Sequence, residues 1–198
     1  MDVLDGDYLD YIDADDEWDE LLWLWQRTQA PKGCRVELVE GIVTVTPLAR
    51  VSHQVVAARV HRRLCAAGPA WGVHQWWPVA VPSRLGIYLP DITVVPEEQH
   101  HGAEEGCLPA TEAALVVEIA SRATARVDRT VKARAYAEAG VPLYLLLDGL
   151  APGGPRGTLH GAPEKGAYRV LSSVAFGEPV ELPAPFDLVI DTAEFPEA

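Results

Sequence analysis

Between Leu115 and Asp148 the chain spells a short apolar strand, a helix and a second apolar strand, an order that leaves little choice of fold. Leu115–Ala120 is apolar apart from Glu118, with three β-branched residues, Val116, Val117 and Ile119, as in a buried strand. Thr124–Ala139 reads as a helix ended by Gly140, with Pro142 beyond it; glycine takes the left-handed cap conformation without penalty, and proline cannot continue the helix. Leu143–Asp148 is apolar until its last residue, the pattern of a strand covered on both faces. Two strands joined through a helix lie parallel, with a right-handed connection. The expected fold class is α/β, a mixed sheet flanked by helices.

The rest of the chain extends that unit. Trp18, Leu21, Leu22 and Trp25 recur at helical spacing, so Glu17 to about Gln29 reads as an amphipathic helix stopped before Pro31. Cys34–Thr46 reads as a hairpin turning at Gly41, and Ser52 as the N-cap of a helix to about Ala67 with an inner stripe of Val56, Val60 and Leu64. Trp71–Val81 and Ile87–Val95 read as strands, Pro96–Ala114 as a polar loop containing His100 and His101, and the C-terminal part as short strands near 158–161, 167–174, 178–182 and 187–191. Residues 17–198 are expected to form one domain, preceded by a flexible acidic arm over residues 1–16.

Charge and cysteine content narrow the function. The net charge of −13 is concentrated: ten acidic residues and no basic ones fall within residues 1–20, leaving nineteen acidic against sixteen basic residues elsewhere. Arg50, Arg59, Arg62 and Arg63 share one stretch, and Arg122, Arg126, Arg129, Lys132 and Arg134 another. Such clustering permits a polyanionic ligand despite the overall sign. Three cysteines without a CxxC pair argue against a disulfide framework or a zinc cluster, and no apolar run is long enough for a membrane span; a cytoplasmic protein is expected.

Two acids stand out because of their surroundings. Asp91 lies within Ile87–Val95, and Glu118 shares one strand face with Val116 and Ala120 while Leu115, Val117 and Ile119 line the other. Ionised carboxylates in apolar strands are costly unless paired, hydrogen-bonded or bound to metal. Two brought close would repel, and a hard divalent cation removes the conflict. The plainer reading places each acid at a strand end facing water. Asp128, Lys132 and Tyr136 recur every fourth residue on one helix face, while Val127, Val131 and Ala135 line a neighbouring face suited to the sheet. An exposed ion pair would explain Asp128 and Lys132 equally well. Arg122, Arg126 and Arg129 could contact flanking phosphates or simply face solvent. Trp71, Trp76 and Trp77 could stack bases, but core packing is the commoner use of tryptophan in a strand.

Glu37-Leu38-Val39-Glu40-Gly41, His53 opening a helix, Pro90-Asp91, Val117-Glu118-Ile119-Ala120-Ser121, Asp128-x-x-x-Lys132-x-x-x-Tyr136, Ala139-Gly140-Val141-Pro142 and Tyr144–Asp148 occur in that order. Together they resemble the Uma-type (Uma-two) putative restriction endonuclease family of the PD-(D/E)xK nuclease superfamily, over about residues 18–190. The resemblance implies a restriction endonuclease-like core with extra C-terminal strands and the acids at one sheet edge. It implies that Asp91 and Glu118 are ligands of Mg²⁺ or Mn²⁺, and that Lys132 replaces the superfamily lysine usually found two residues after the second acid, where this chain has Ala120. Glu37 matches an upstream acid that could complete the metal shell or position a water. His53 matches a family histidine of undefined role. Arg122 stands where the family often has proline. The implied activity is metal-dependent hydrolysis of DNA, with no membrane association. A homodimer or larger assembly is left open, and so is the alternative of a catalytically silent nuclease-fold module for binding or assembly.

Overall fold

The computed structural model describes residues 17–99 and 106–196. The expected acidic arm and the His100–His101 pair lie outside the described residues. Helix α1 (Glu17–Arg27) packs on a hairpin of β1 (Cys34–Val39) and β2 (Ile42–Pro47). The hairpin turns through Glu40 and Gly41, both at positive φ, as a two-residue loop that matches strand twist requires. Helix α2 (Val51–Cys65) begins one residue before the expected Ser52 cap; Arg50 is its N-cap and supplies no side-chain hydrogen bond.

Two expected strands are each broken into two. Trp71–Val81 becomes β3 (Trp71–His74) and β4 (Val79–Val81), with Trp76 left-handed between them. Ile87–Val95 becomes β5 (Gly86–Tyr88) and β6 (Ile92–Pro96). Pro90 has no N–H for a ladder, so the chain turns a corner at Leu89–Asp91. The halves join different sheets: β5 lies between β1 and β4 in a five-stranded sheet, and β6 lies beside β3 at one end of a six-stranded sheet. The expected polar loop after β6 holds β7 (Leu108–Pro109) and short 3₁₀ turns, with Cys107 and Leu108 buried.

The crossover unit forms as expected. Strand β8 (Leu115–Ile119) runs parallel to β9 (Leu143–Asp148) and antiparallel to β6. Between β8 and β9 come α3 (Ala125–Val127), a π-helical turn (Asp128–Lys132) and α4 (Ala133–Glu138). Gly140 closes the helix at positive φ. Of the C-terminal strands, β10 (Arg156–Glu164) and β11 (Ala167–Ala175) are longer than expected and extend the six-stranded sheet, while β12 (Val180–Leu182) and β13 (Leu188–Ile190) are shorter and pair with each other.

Side-chain alternation on β8 then separates two cores. Leu115, Val117 and Ile119 pack with Val56, Val60 and Leu64 of α2 and with the β12–β13 pair. Val116 and Ala120 face the other way, among Tyr88, Ala135, Tyr136 and Tyr144. Glu118 has their parity and enters this second core, where the helix sits between the two sheets.

Candidate active site

The charged groups of this second core come from four separate parts of the chain: β1, the corner before β6, β8 and the π-helical turn. On β1 alternation sends Leu38 into the apolar cluster under α1 and turns Glu37 the other way, with Arg35 two residues earlier on the same face. Glu37 Oε1 accepts the Leu89 N–H at 2.9 Å and lies 2.8 Å from Lys132 Nζ, while Arg35 Nε lies 3.3 Å from Oε2. Asp91 sits in the corner after Pro90; its Oδ2 accepts the Ile119 N–H at 2.7 Å and lies 3.2 Å from His53 Nε2. Glu118 Oε1 accepts from Lys132 Nζ and from the Tyr136 hydroxyl, each at 3.0 Å. Asp128 Oδ1 is 3.4 Å from the same ammonium.

These groups are out of reach of water. Glu118, Asp128 and Lys132 have no exposed surface, and Asp91 and Glu37 have almost none. Four carboxylates (Glu37, Asp91, Glu118 and Asp128) therefore surround two permanent cations, Lys132 and Arg35. Burial pushes Glu118 well above the ordinary carboxylate range; Lys132 opposes the shift, while Asp128 and Asp91 add to it. Burial likewise raises Asp128. Glu37 goes the other way: burial works against its charge, but Lys132 and Arg35 outweigh it. Burial also disfavours the Lys132 ammonium, yet Glu118, Glu37 and Asp128 together raise its pKa. The acids thus outnumber the cations. Four of their oxygens, Asp91 Oδ1, Glu118 Oε2 and both of Asp128, are buried with no hydrogen-bond partner, although the Arg35 guanidinium stands 3.9 Å from Asp91 Oδ1 and the Lys132 ammonium 3.4 Å from Asp128 Oδ1.

A buried anionic oxygen without a partner is costly, and hard oxygen donors of this kind suit Mg²⁺ or Mn²⁺. Among the described residues no group of three or more His, Cys, Asp and Glu side chains is gathered as a metal cage. Mg²⁺, however, is commonly held by one or two carboxylates, with phosphate and water filling its other positions. Asp91 and Glu118 fit that requirement.

The sequence model of the Uma2 family, described as "Putative restriction endonuclease", matches residues 18–193. The chain belongs to the Uma2 family. No curated protein matches it. A solved structure similar to this Uma2 chain is that of a "putative nuclease belonging to DUF820" from Anabaena variabilis, at 15% identity and a TM-score of 0.61, covering 84% of this chain and 90% of that one. At that identity the likeness speaks for the fold alone, a mixed α/β architecture.

The Uma2 chain brings Glu37, Glu118 and Lys132 into direct contact, and Asp91 joins them through Arg35 and the Ile119 amide. The acids do not lie at a sheet edge: Glu118 is on β8, inside the six-stranded sheet, and Asp91 immediately precedes β6 beside it. Nor do Val127 and Val131 form the buried helix face. Asp128, Lys132, Ala135 and Tyr136 are buried instead, because the charges satisfy one another against the sheet. Arg129 is not free for phosphate; it grips both oxygens of Asp148 at 2.7 and 3.0 Å and donates to the Leu150 carbonyl. Trp71 packs on Phe186 in the core, and Trp77 lies against His74. Sequence reasoning missed Arg35, whose signal was its place two residues before Glu37 on a strand. It also missed that Asp128 and Tyr136 reach the cluster as well as Lys132.

Proposed function

We propose that this protein is a metal-dependent endonuclease of the PD-(D/E)xK type that hydrolyses DNA phosphodiesters, with Asp91 and Glu118 as ligands of Mg²⁺ or Mn²⁺. The observation that carries the reading is a buried cluster with more acids than bases, in which Asp91 Oδ1 and Glu118 Oε2 are among the carboxylate oxygens without a hydrogen-bond partner. A divalent cation bound there supplies polarisation of the scissile phosphate and acidification of an attacking water. Lys132, held protonated by Glu118, Glu37 and Asp128, stabilises negative charge on the phosphoryl group and orients the water; it does not act as a base. Glu37, kept ionised by Lys132 and Arg35, fixes the position of that ammonium. Asp91 and His53 border a small cavity also lined by Pro47, Leu48 and Ala49.

The test is relaxation of supercoiled plasmid in Mn²⁺ by the wild type, Asp91→Asn, Glu118→Gln and Lys132→Met, with circular dichroism confirming that each variant is folded. Loss of cleavage by at least a hundredfold in the folded variants is expected; unchanged cleavage sinks the assignment. A second reading, a catalytically silent binding or assembly module, is favoured by the complete burial of Lys132 among its three carboxylates. Calorimetric titration with Mn²⁺ separates the two, because a silent site gives no binding that depends on Glu118.

A further inference from the structure

Beside the acid cluster lies a half-open cavity of about 210 Å³ that the proposed chemistry does not use. Its walls come from the β2–α2 connection, the first turn of α2 and the segment after β8. Arg50 and Arg122 line it from separate parts of the chain, and among the described residues neither guanidinium is bound to a carboxylate or carbonyl. Arg50 is also the N-cap of the fifteen-residue α2, whose first-turn amides receive no side-chain cap and so present partial positive charge.

His53 is the independent sign of a ligand. Its side chain is 9% exposed and lines this cavity, Nε2 is engaged by Asp91, and Nδ1 is buried without a partner. Much of the remaining lining is apolar, including Pro47, Leu48 and Leu150. A lining that combines unpaired guanidiniums with apolar side chains matches a nucleotide, which carries a phosphate at one end and a flat, weakly polar base at the other. The space suits one unit rather than a base pair, and a base enters such a pocket only when it is out of the stack.

We propose that this cavity is a nucleotide subsite that takes one unstacked nucleotide of a DNA strand, its phosphate between Arg50 and Arg122 and its base against Pro47, Leu48 and Leu150. Single-stranded or frayed DNA is then the preferred substrate. The polymer's identity rests on the nuclease reading; occupancy of the cavity does not need the metal.

The test is titration of the ¹⁵N-labelled full chain with thymidine 5′-monophosphate, and separately with inorganic phosphate, in EDTA. Both arginines are exposed, so the Arg50→Ala/Arg122→Ala variant is expected to fold. Saturable shifts of the Ser52, His53 and Ser121 amides by the nucleotide are expected, with at least tenfold weaker binding in the double variant and weaker binding of inorganic phosphate. A labelled oligothymidine should also bind more tightly than a duplex of equal length. The proposal is overturned by absence of saturable shifts, by equal affinity in the double variant, by phosphate binding as well as the nucleotide, or by a preference for duplex. Nucleotide binding without Mn²⁺-dependent cleavage would sustain the subsite and sink the catalytic assignment, and cleavage without nucleotide binding would do the reverse.

Discussion

Replacing Lys132 with methionine removes the ammonium that Glu37, Glu118 and Asp128 approach at 2.8, 3.0 and 3.4 Å, while keeping a side chain of similar length. Breaking a buried ion pair from one side costs about 3–5 kcal/mol, because the remaining charge is left uncompensated. A domain is stable by about 5–15 kcal/mol in total, so the variant should remain folded with a much smaller margin. For a chain of this size the loss corresponds to a fall in melting temperature of roughly 6–20 °C. The penalty should also depend on pH. Burial already raises Glu118 well above its ordinary 4.5, and loss of the ammonium removes the main opposing influence. In the interval between the unfolded value near 4.5 and the higher folded value, the native state binds a proton that the unfolded state does not, so stability rises as pH falls through that interval. Urea denaturation at pH 7.5 and 5.0 should therefore show a smaller deficit at the lower pH, and adding Glu118→Gln should recover part of the loss at pH 7.5. A deficit below about 1 kcal/mol, the size of an exposed pair, would refute the reasoning, as would one that neither acid nor Glu118→Gln relieves.

Tyr136→Phe deletes the hydroxyl that donates to Glu118 Oε1 at 3.0 Å; chemical denaturation should register a loss of about 1–3 kcal/mol, and no loss would mean that the contact is not formed. Arg129→Ala breaks the two-pronged grip on Asp148 and should lower stability by about 1 kcal/mol or more, since geometry of this kind is stronger than an ordinary surface pair. In DNA-binding assays across a salt series it should leave the slope unchanged, whereas Arg126→Ala, at an exposed position, should lower it by about one if that residue touches phosphate. Deleting residues 1–16 removes seven aspartates and should tighten binding to DNA at low salt, measured by anisotropy; an unchanged constant would exclude competition between the arm and the DNA.

Alternation and helical spacing carried much of the architecture. The parity of Glu118 against Leu115, Val117 and Ile119 correctly assigned both faces of β8, because a strand buried on both sides still alternates between two cores. Gly140 marked the helix end for a reason internal to the backbone. What failed was continuity. Ile87–Val95 is mostly apolar on both sides of Asp91, and hydropathy alone could not show that Pro90 ends one ladder and Asp91 begins the approach to another; the missing N–H of Pro90 was the legible clue. Trp71–Val81 failed in the same way, since its halves pair with β6 and β5 in different sheets. Helix orientation failed for a different reason. Hydropathy sends Val127 and Val131 inward, but three carboxylates converging on one ammonium make the Asp128–Lys132 face the one that packs down. Arg35 was missed because an arginine on a strand next to the N-terminal helix reads as a solvated residue until its partners are known.

The position of the charges follows from the junction of the two sheets. Glu37 belongs to the five-stranded sheet, Glu118 to the six-stranded sheet, Asp91 to the corner where the chain passes between them, and Lys132 to the helix inserted at the seam. The candidate site therefore lies where the two sheets and the helix meet, within the apolar second core that also joins them. The π-helical turn falls on Asp128–Lys132, a local irregularity of the kind often found at functional sites, and both of its end residues point into the cluster. An apolar seam of the same shape would satisfy the fold without uncompensated charge, since well-packed hydrophobic replacements of buried ion pairs are often neutral or stabilising. An excess of acids over bases at the most buried point of the molecule is consequently poor evidence for a purely structural role. It costs stability in the isolated chain, and a bound cation is the kind of ligand that would offset that cost.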